Sequence, residues 1–243
     1  MLVHRSALDR YEYNNALRHL REQTGRYLYP VHRLDKPTSG VLLFALTREA
    51  ATCLSAQFEN ALARKNYLAV VRGHCDEQGT IDHAVRDRDA RDKKPADALT
   101  RYVTTATIEL PYAVDRYPTT RYSLLQVQPR TGRRHQIRLH MKHISHPIVG
   151  DTNYGKTPHN KFFASHYECN RLLLHAHSIS IKEPYSDKTI TITAAVNDAQ
   201  FLRVLGDPAW QWLHNTGAGS FTHQTDCTST LEQSSIKKTD EQG

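Results

Sequence analysis

In the stretch HRLDKPTSG, residues 32–40, one carboxylate, Asp35, lies between two cations, Arg33 and Lys36, directly ahead of the apolar run VLLFAL at 41–46. An aspartate so placed has two readings. It can stabilise a turn, because its side chain bonds nearby backbone N–H groups. Held ionised by an adjacent cation, which lowers a carboxyl pKa by about 1–3 units, it can instead serve as a nucleophile or a base. A second group lies in PRTGRRHQIRLHMKH, residues 129–143. There Thr131-Gly132 punctuates a strand end, Ile137, Met141 and Ile144 recur at helical spacing, and Arg134, Arg138 and Lys142 share another face. Cations near a helix start oppose its macrodipole unless an anion meets them. That anion is a phosphate or a protein carboxylate; failing one, the stripe is a solvated basic face. Tyr67, in KNYLAVVRG, sits in a run of β-forming residues, where a sheet-face aromatic is the plain expectation.

Other chemistries find less support. His135, His140, His143 and His146 have spacings of three to five, but no HExxH or acidic pattern completes a ligand set, so no metal site is expected. Cys53, Cys75, Cys169 and Cys227 are far apart and form no CxxC, which suits reduced cytosolic thiols. There is no Walker A loop, dinucleotide glycine fingerprint or GxSxG elbow, so chemistry without a cofactor is preferred.

The elements that must position these residues follow from periodicity. Residues 47–65, TREAATCLSAQFENALARK, open with a possible Thr cap and repeat Ala50, Leu54, Phe58 and Ala61 at helical spacing. A strand is expected before them at 41–46 and another after them at 67–71, with further strands at 101–107, 121–128, 172–181 and 189–194. Strands outnumber helices, which predicts an α+β fold: a mixed, largely antiparallel sheet with a few packed helices. Residues 86–98, RDRDARDKKPADA, read as a charged surface loop. Residues 215–243 turn to Ser, Thr, Gly and Gln and read as a disordered tail, leaving 1–214 as one domain. The longest apolar run is too short to cross a bilayer, so no membrane association is expected. Lys and Arg number 32 against 25 acidic residues, a net charge of +7, which favours a polyanionic partner such as nucleic acid.

Four segments in order, HRLDKPTSGVLL (32–43), KNYLAVVRG (65–73), RTGRRHQIRLHMKHISHPIVGDTNYG (130–155) and RLLLHAHSISI (171–181), resemble the motif series of the RluA-type RNA pseudouridine synthases. The resemblance implies that family's bent sheet with flanking helices and isomerisation of uridine to pseudouridine in RNA without a cofactor. It implies Asp35 as catalytic aspartate, Tyr67 as active-site tyrosine and Arg138 as the basic partner of the aspartate. Arg33 becomes a candidate to fill the space left by an extruded base, with Arg133, His135 and Gln136 holding phosphate or base edges and Arg134 a further phosphate contact. RYPTTRYSLLQVQPRTGRRHQ (116–136) resembles the branch of the family that modifies uridine 65 of tRNA, which implies a tRNA partner and a cytoplasmic, monomeric enzyme; a ribosomal RNA substrate or a silent RNA-binding protein of the same fold are the alternatives. Relatives normally carry a further strand and an NKPxG-type loop before the segment matched by Leu2-Val3-His4-Arg5, so an N-terminal strand is expected to be missing. No separate RNA-binding domain is evident.

Overall fold

A computed structural model describes residues 15–86, 94–186 and 188–213, all within one compact unit, Met1–Leu213. The tail at 215–243, residues 2–5 and most of the charged loop at 86–98 lie outside the described residues. In chain order the elements are α1 (Ala16–Thr24), β1 (Tyr29–Pro30), β2 (Ser39–Gly40), β3 (Phe44–Ala45), α2 (Arg48–Glu59), β4 (Arg64–Arg72), β5 (Gln78–Asp82), β6 (Leu99–Leu110), β7 (Thr120–Pro129), α3 (Gln136–His143), α4 (Thr157–His166), β8 (Leu174–Lys182), β9 (Thr189–Thr193), α5 (Ala199–Leu205) and β10 (Gln211–Trp212). The expected α+β class holds. The main sheet runs β10-β6-β7-β4-β8-β2, with β5 beside β6 and β9 beside β8, and every pairing is antiparallel except β2 with β8.

Period-two alternation explains how the sheet is covered on both faces. Along β4, Val70 joins Ile108, Tyr122, Phe163 and Phe201 on the face packed by α4 and α5. Its neighbours Ala69 and Val71 join Leu125, Val127, Ile137 and Met141 on the face packed by α3. Helical repetition of Ile137 and Met141 thus places α3 against the sheet, directly after the end of β7. A third cluster, with Val31, Val41, Leu54, Ala63, Ile179 and Ile181, seats α2 beside the end of β8.

Two expectations change. The run at 41–46 is not one buried strand but is divided between partners: β2 lies parallel to β8, the Val41 N–H donates to the Ala176 carbonyl at 2.8 Å, and β3 then pairs with β1. Gly40 permits this switch, because at its φ of 110° a Cβ would sit 2.1 Å from the Ala176 oxygen. The second change is the end of α2. Thr47 caps it as expected, its Oγ1 accepting from the Ala50 N–H at 3.1 Å, but the helix stops at Glu59 rather than Lys65. Leu62 and Ala63 N–H groups turn back to the Gln57 carbonyl, Ala61 adopts φ 56°, and Lys65 is drawn into β4 opposite Ile179. The short α4, α5, β5 and β10 were not anticipated from sequence, and α4, TPHNKFFASH, mixes its apolar and polar residues around the axis; α1 was missed although Asn15 caps it and Gly25 ends it.

Candidate active site

Asp35 owes its place to a loop fastened at both ends. The Thr38 N–H donates to the Asp35 carbonyl at 2.8 Å, closing a turn across Lys36-Pro37, so the turn reading of this aspartate is correct for its backbone. Beyond the turn, the Ser39 hydroxyl contacts His175 Nδ1 at 2.8 Å and accepts from Arg171 Nη2 at 2.8 Å. Before it, His32 stacks on Phe58 and its Nε2 accepts the Leu43 N–H at 2.9 Å. Burial, assisted by the Lys65 charge, pushes the His32 pKa down to about 4, so it remains a neutral acceptor. The Asp35 side chain is left projecting, 19 % exposed.

The opposite wall is the turn between β7 and α3. Gln136 Oε1 accepts from Thr131 Oγ1 at 2.7 Å and from the Arg133 N–H at 2.9 Å, and its Nε2 donates to Leu99 O and Thr100 Oγ1, both at 3.0 Å. Gln136, expected to hold a phosphate or base edge, lines the cavity but is buried, and both ends of its amide are engaged within the protein. His135 caps the helix in the left-handed region at φ 55°. Its Nδ1 lies 2.9 Å from the Tyr154 hydroxyl and its Nε2 lies 3.8 Å from Asp35 Oδ1. Burial lowers the imidazole pKa, with the Asp35 charge opposing and Arg138 and Arg134 assisting, so the ring is neutral near pH 7.

Arg138, in the first turn of α3, is only 4 % exposed, and two carboxylates meet it. Its Nη1 donates to Asp35 Oδ2 at 3.2 Å, while Nε and Nη2 donate to Asp151 Oδ2 and Oδ1 at 2.7 and 2.8 Å. The anion demanded by a cation at a helix start is therefore a protein carboxylate. The arginines of the α3 stripe are not a uniform solvated face. Arg33, two positions before Asp35, is exposed and forms no ion pair with it. Arg133 is exposed, with its Nε donating to Asp97 O at 3.1 Å, and Arg134 is half-buried.

Tyr67 enters from β4 at an irregularity: pairing with β8 shifts between Asn66 and Tyr67, and such bulges re-aim a side chain. Burial, reinforced by the Asp35 charge, raises its pKa well above the ordinary phenol value. At neutral pH Tyr67 is therefore a proton donor and not a base. Asp35, Tyr67, Arg138, Arg33, Arg133, Arg134, His135 and Gln136 all line one cavity of about 580 Å³. That volume suits a nucleoside-sized occupant. His32, Phe58, Lys65 and Thr131 line it too and were not singled out from sequence. Lys65, two positions before Tyr67, offered a signal in its spacing; Asp151 and Tyr154, in IVGDTNYG, offered none in charge or periodicity. Among the described residues no group of three or more His, Cys, Asp or Glu is placed to hold a metal ion, and His140 instead bonds Thr100 Oγ1 and His83 O, both at 2.9 Å.

Comparison with known proteins places the chain in a family. Residues 1–143 match the family model described as RNA pseudouridylate synthase. A tRNA pseudouridine synthase C from Pasteurella multocida is 48 % identical over 218 residues, covering 86 % of this chain and 89 % of the relative. Its namesake from Haemophilus influenzae is 45 % identical over 219 residues, covering 87 % and 91 %. Among solved structures, human RNA pseudouridylate synthase domain containing 1 superposes with a TM-score of 0.64 at 25 % identity, covering 88 % of this chain and 90 % of that one.

Proposed function

The chain belongs to the RNA pseudouridylate synthase family, and we propose on that premise that it isomerises uridine to pseudouridine in tRNA, at position 65. The observation that carries the chemistry is the meeting of Asp35, Arg138 and Tyr67 in one cavity, three residues from three separate elements. Support for tRNA comes from the relatives, which are tRNA pseudouridine synthases.

In the reaction the bond from ribose C1′ to uracil N1 is broken, the base turns, and a bond from C1′ to C5 is made. The proton of C5 leaves and N1 gains one, so the formula is unchanged and no external oxidant or group donor is consumed. Asp35 supplies the carboxylate beside the sugar and base. The Arg138 guanidinium, donating from Nη1 to Asp35 Oδ2 at 3.2 Å, holds that carboxylate in place. Tyr67 stacks on the uracil and offers a phenol proton. A base can reach this cavity only by leaving its helix, and Arg33, exposed at the cavity edge, is placed to occupy the gap. Arg133 and Arg134 hold the flanking phosphates, with Gln136 bracing from behind the turn that carries them and His135 facing Asp35. The proposed setting is a monomer acting in the cytoplasm, where tRNA is available.

Conversion of C5-tritiated tRNA transcripts tests the function. Tritium release from a parent transcript, lost when uridine 65 alone is replaced by cytidine, is expected. Undiminished release from the replaced transcript would remove the position, and release only from ribosomal RNA fragments would remove tRNA. Phosphate contacts by Arg33, Arg133 and Arg134 also predict a salt-dependent affinity. About three neutralised phosphates correspond to a roughly 20–40-fold loss between 50 and 200 mM salt. A filter-binding affinity that stays constant over that range would show that these arginines do not bind the backbone.

A further inference from the structure

Both groups that face Asp35 from the start of α3 are held by one turn. Asp151, with a side chain fully removed from solvent, takes the Nε and Nη2 edge of Arg138 in a bidentate pair at 2.7 and 2.8 Å. The guanidinium is a rigid planar fork, so clamping that edge sets the direction of the remaining nitrogen, Nη1, which points at Asp35 Oδ2. Three residues on, the Tyr154 hydroxyl meets His135 Nδ1 at 2.9 Å, and the Tyr154 ring lies 5.0 Å from the Arg138 guanidinium. A phenol donating to Nδ1 leaves the imidazole proton on Nε2, the nitrogen that faces Asp35 Oδ1; the other tautomer would aim a lone pair at a carboxylate.

The turn itself is tied down. Asp151 Oδ1 accepts the Asn153 and Tyr154 N–H groups at 2.9 and 3.0 Å. Asn160 of α4 accepts the Gly150 N–H at 2.8 Å and donates to the Asp151 carbonyl at 3.0 Å. Gly150, at φ 78°, has its Cβ position within 1.8 Å of the Arg171 carbonyl, so only glycine lets the turn approach so closely. A buried ion pair gives little net stability compared with an apolar replacement, whereas it fixes geometry strictly. Its location behind the catalytic carboxylate therefore matters more than its energy.

We propose, resting on the isomerase reading above, that the turn from Asp151 to Tyr154 is the positioning element of the active site: Asp151 orients Arg138 and Tyr154 orients His135, so that one N–H of each is aimed at Asp35. Neither residue touches the substrate. Loss of aim by about an ångström costs about 100-fold in rate. Asp151→Asn is therefore expected to slow single-turnover conversion of saturating tRNA transcript about 100-fold, with the tRNA Kd within about threefold of the parent. Combined with Arg138→Lys, which already lacks the fork, the same substitution should cost less than about threefold more, because residues acting as a unit do not add.

A parent-like rate in folded Asp151→Asn, or an equal loss in both backgrounds, would overturn the assignment. If Asp151→Asn fails to fold, as judged by its thermal melt, Tyr154→Phe decides. It should be about 10-fold slower than the parent, yet without further effect in a His135→Ala background; a parent-like rate in the folded single variant overturns the positioning role. A parent chain that converts no uridine in any tRNA would overturn the isomerase reading and this one together, whereas an active parent beside parent-like variants overturns the positioning alone.

Discussion

Asp35→Asn should abolish pseudouridine formation, a loss of more than about 10³-fold, while leaving tRNA affinity within a few-fold. An amide of nearly the same shape can neither attack nor accept a proton. The surroundings are built to survive the change. Asparagine keeps an oxygen acceptor for Arg138 Nη1, and Arg138 stays fixed by its two bonds to Asp151, so the arginine does not swing into the cavity. Removing a negative charge from a site that must admit phosphates should hold or slightly strengthen binding. Tritium release and filter binding on the same preparation provide the check. Turnover near the parent rate would remove Asp35 from the chemistry; a Kd weakened by a hundredfold would show that it is needed to hold RNA.

Arg138→Met should lower both turnover and stability, and its stability defect should depend on pH in a defined direction. Methionine fills a similar volume but strands Asp151 as a buried, unpaired carboxylate, which costs about 3–5 kcal/mol. For a chain of this size that is a Tm lower by about 6–20 °C at pH 7. In the parent, burial pushes the Asp151 pKa up, but the Arg138 hydrogen bond and charge, with the Tyr154 and Asn153 N–H groups, outweigh it and hold the value below the ordinary 3.8. A depressed carboxyl pKa contributes stability above the unfolded value, and that stability is lost as pH falls through the folded one. Without Arg138 burial dominates, the folded value rises, and the penalty is greatest at neutral pH and shrinks in acid. The two calorimetric Tm values should thus converge between pH 7 and pH 4. Adding Asp151→Asn to Arg138→Met should recover most of the Tm and none of the turnover; parallel pH curves for parent and variant would show that Asp151 is not stranded.

Local order along the chain was legible because it depends on neighbours within a turn or two. Thr47 caps α2, Ile137 and Met141 lay α3 on the sheet, and the turn at Asp35 closes across Lys36-Pro37, each a matter of backbone preference and period. The eight candidate site residues were singled out through the resemblance of their motifs to a known family, and all eight line one cavity. Partners were not legible. The run at 41–46 is apolar enough for a strand, but β8 and β1 divide it, and Lys65 leaves its helical pattern because β8 offers it a strand partner. Arg33 and Lys36 lie within two positions of Asp35 in sequence, yet Arg138, 103 positions away, also reaches its carboxylate. The carboxylate that holds Arg138, Asp151, has no periodic or charge signal of its own, and Gln136, a polar residue in a basic run, proves to be a satisfied brace. Charge pairing and burial act through space at a few ångströms, so which groups face one another is decided by the crossing of β4, the loop before β2 and the start of α3, and only tertiary packing sets that crossing.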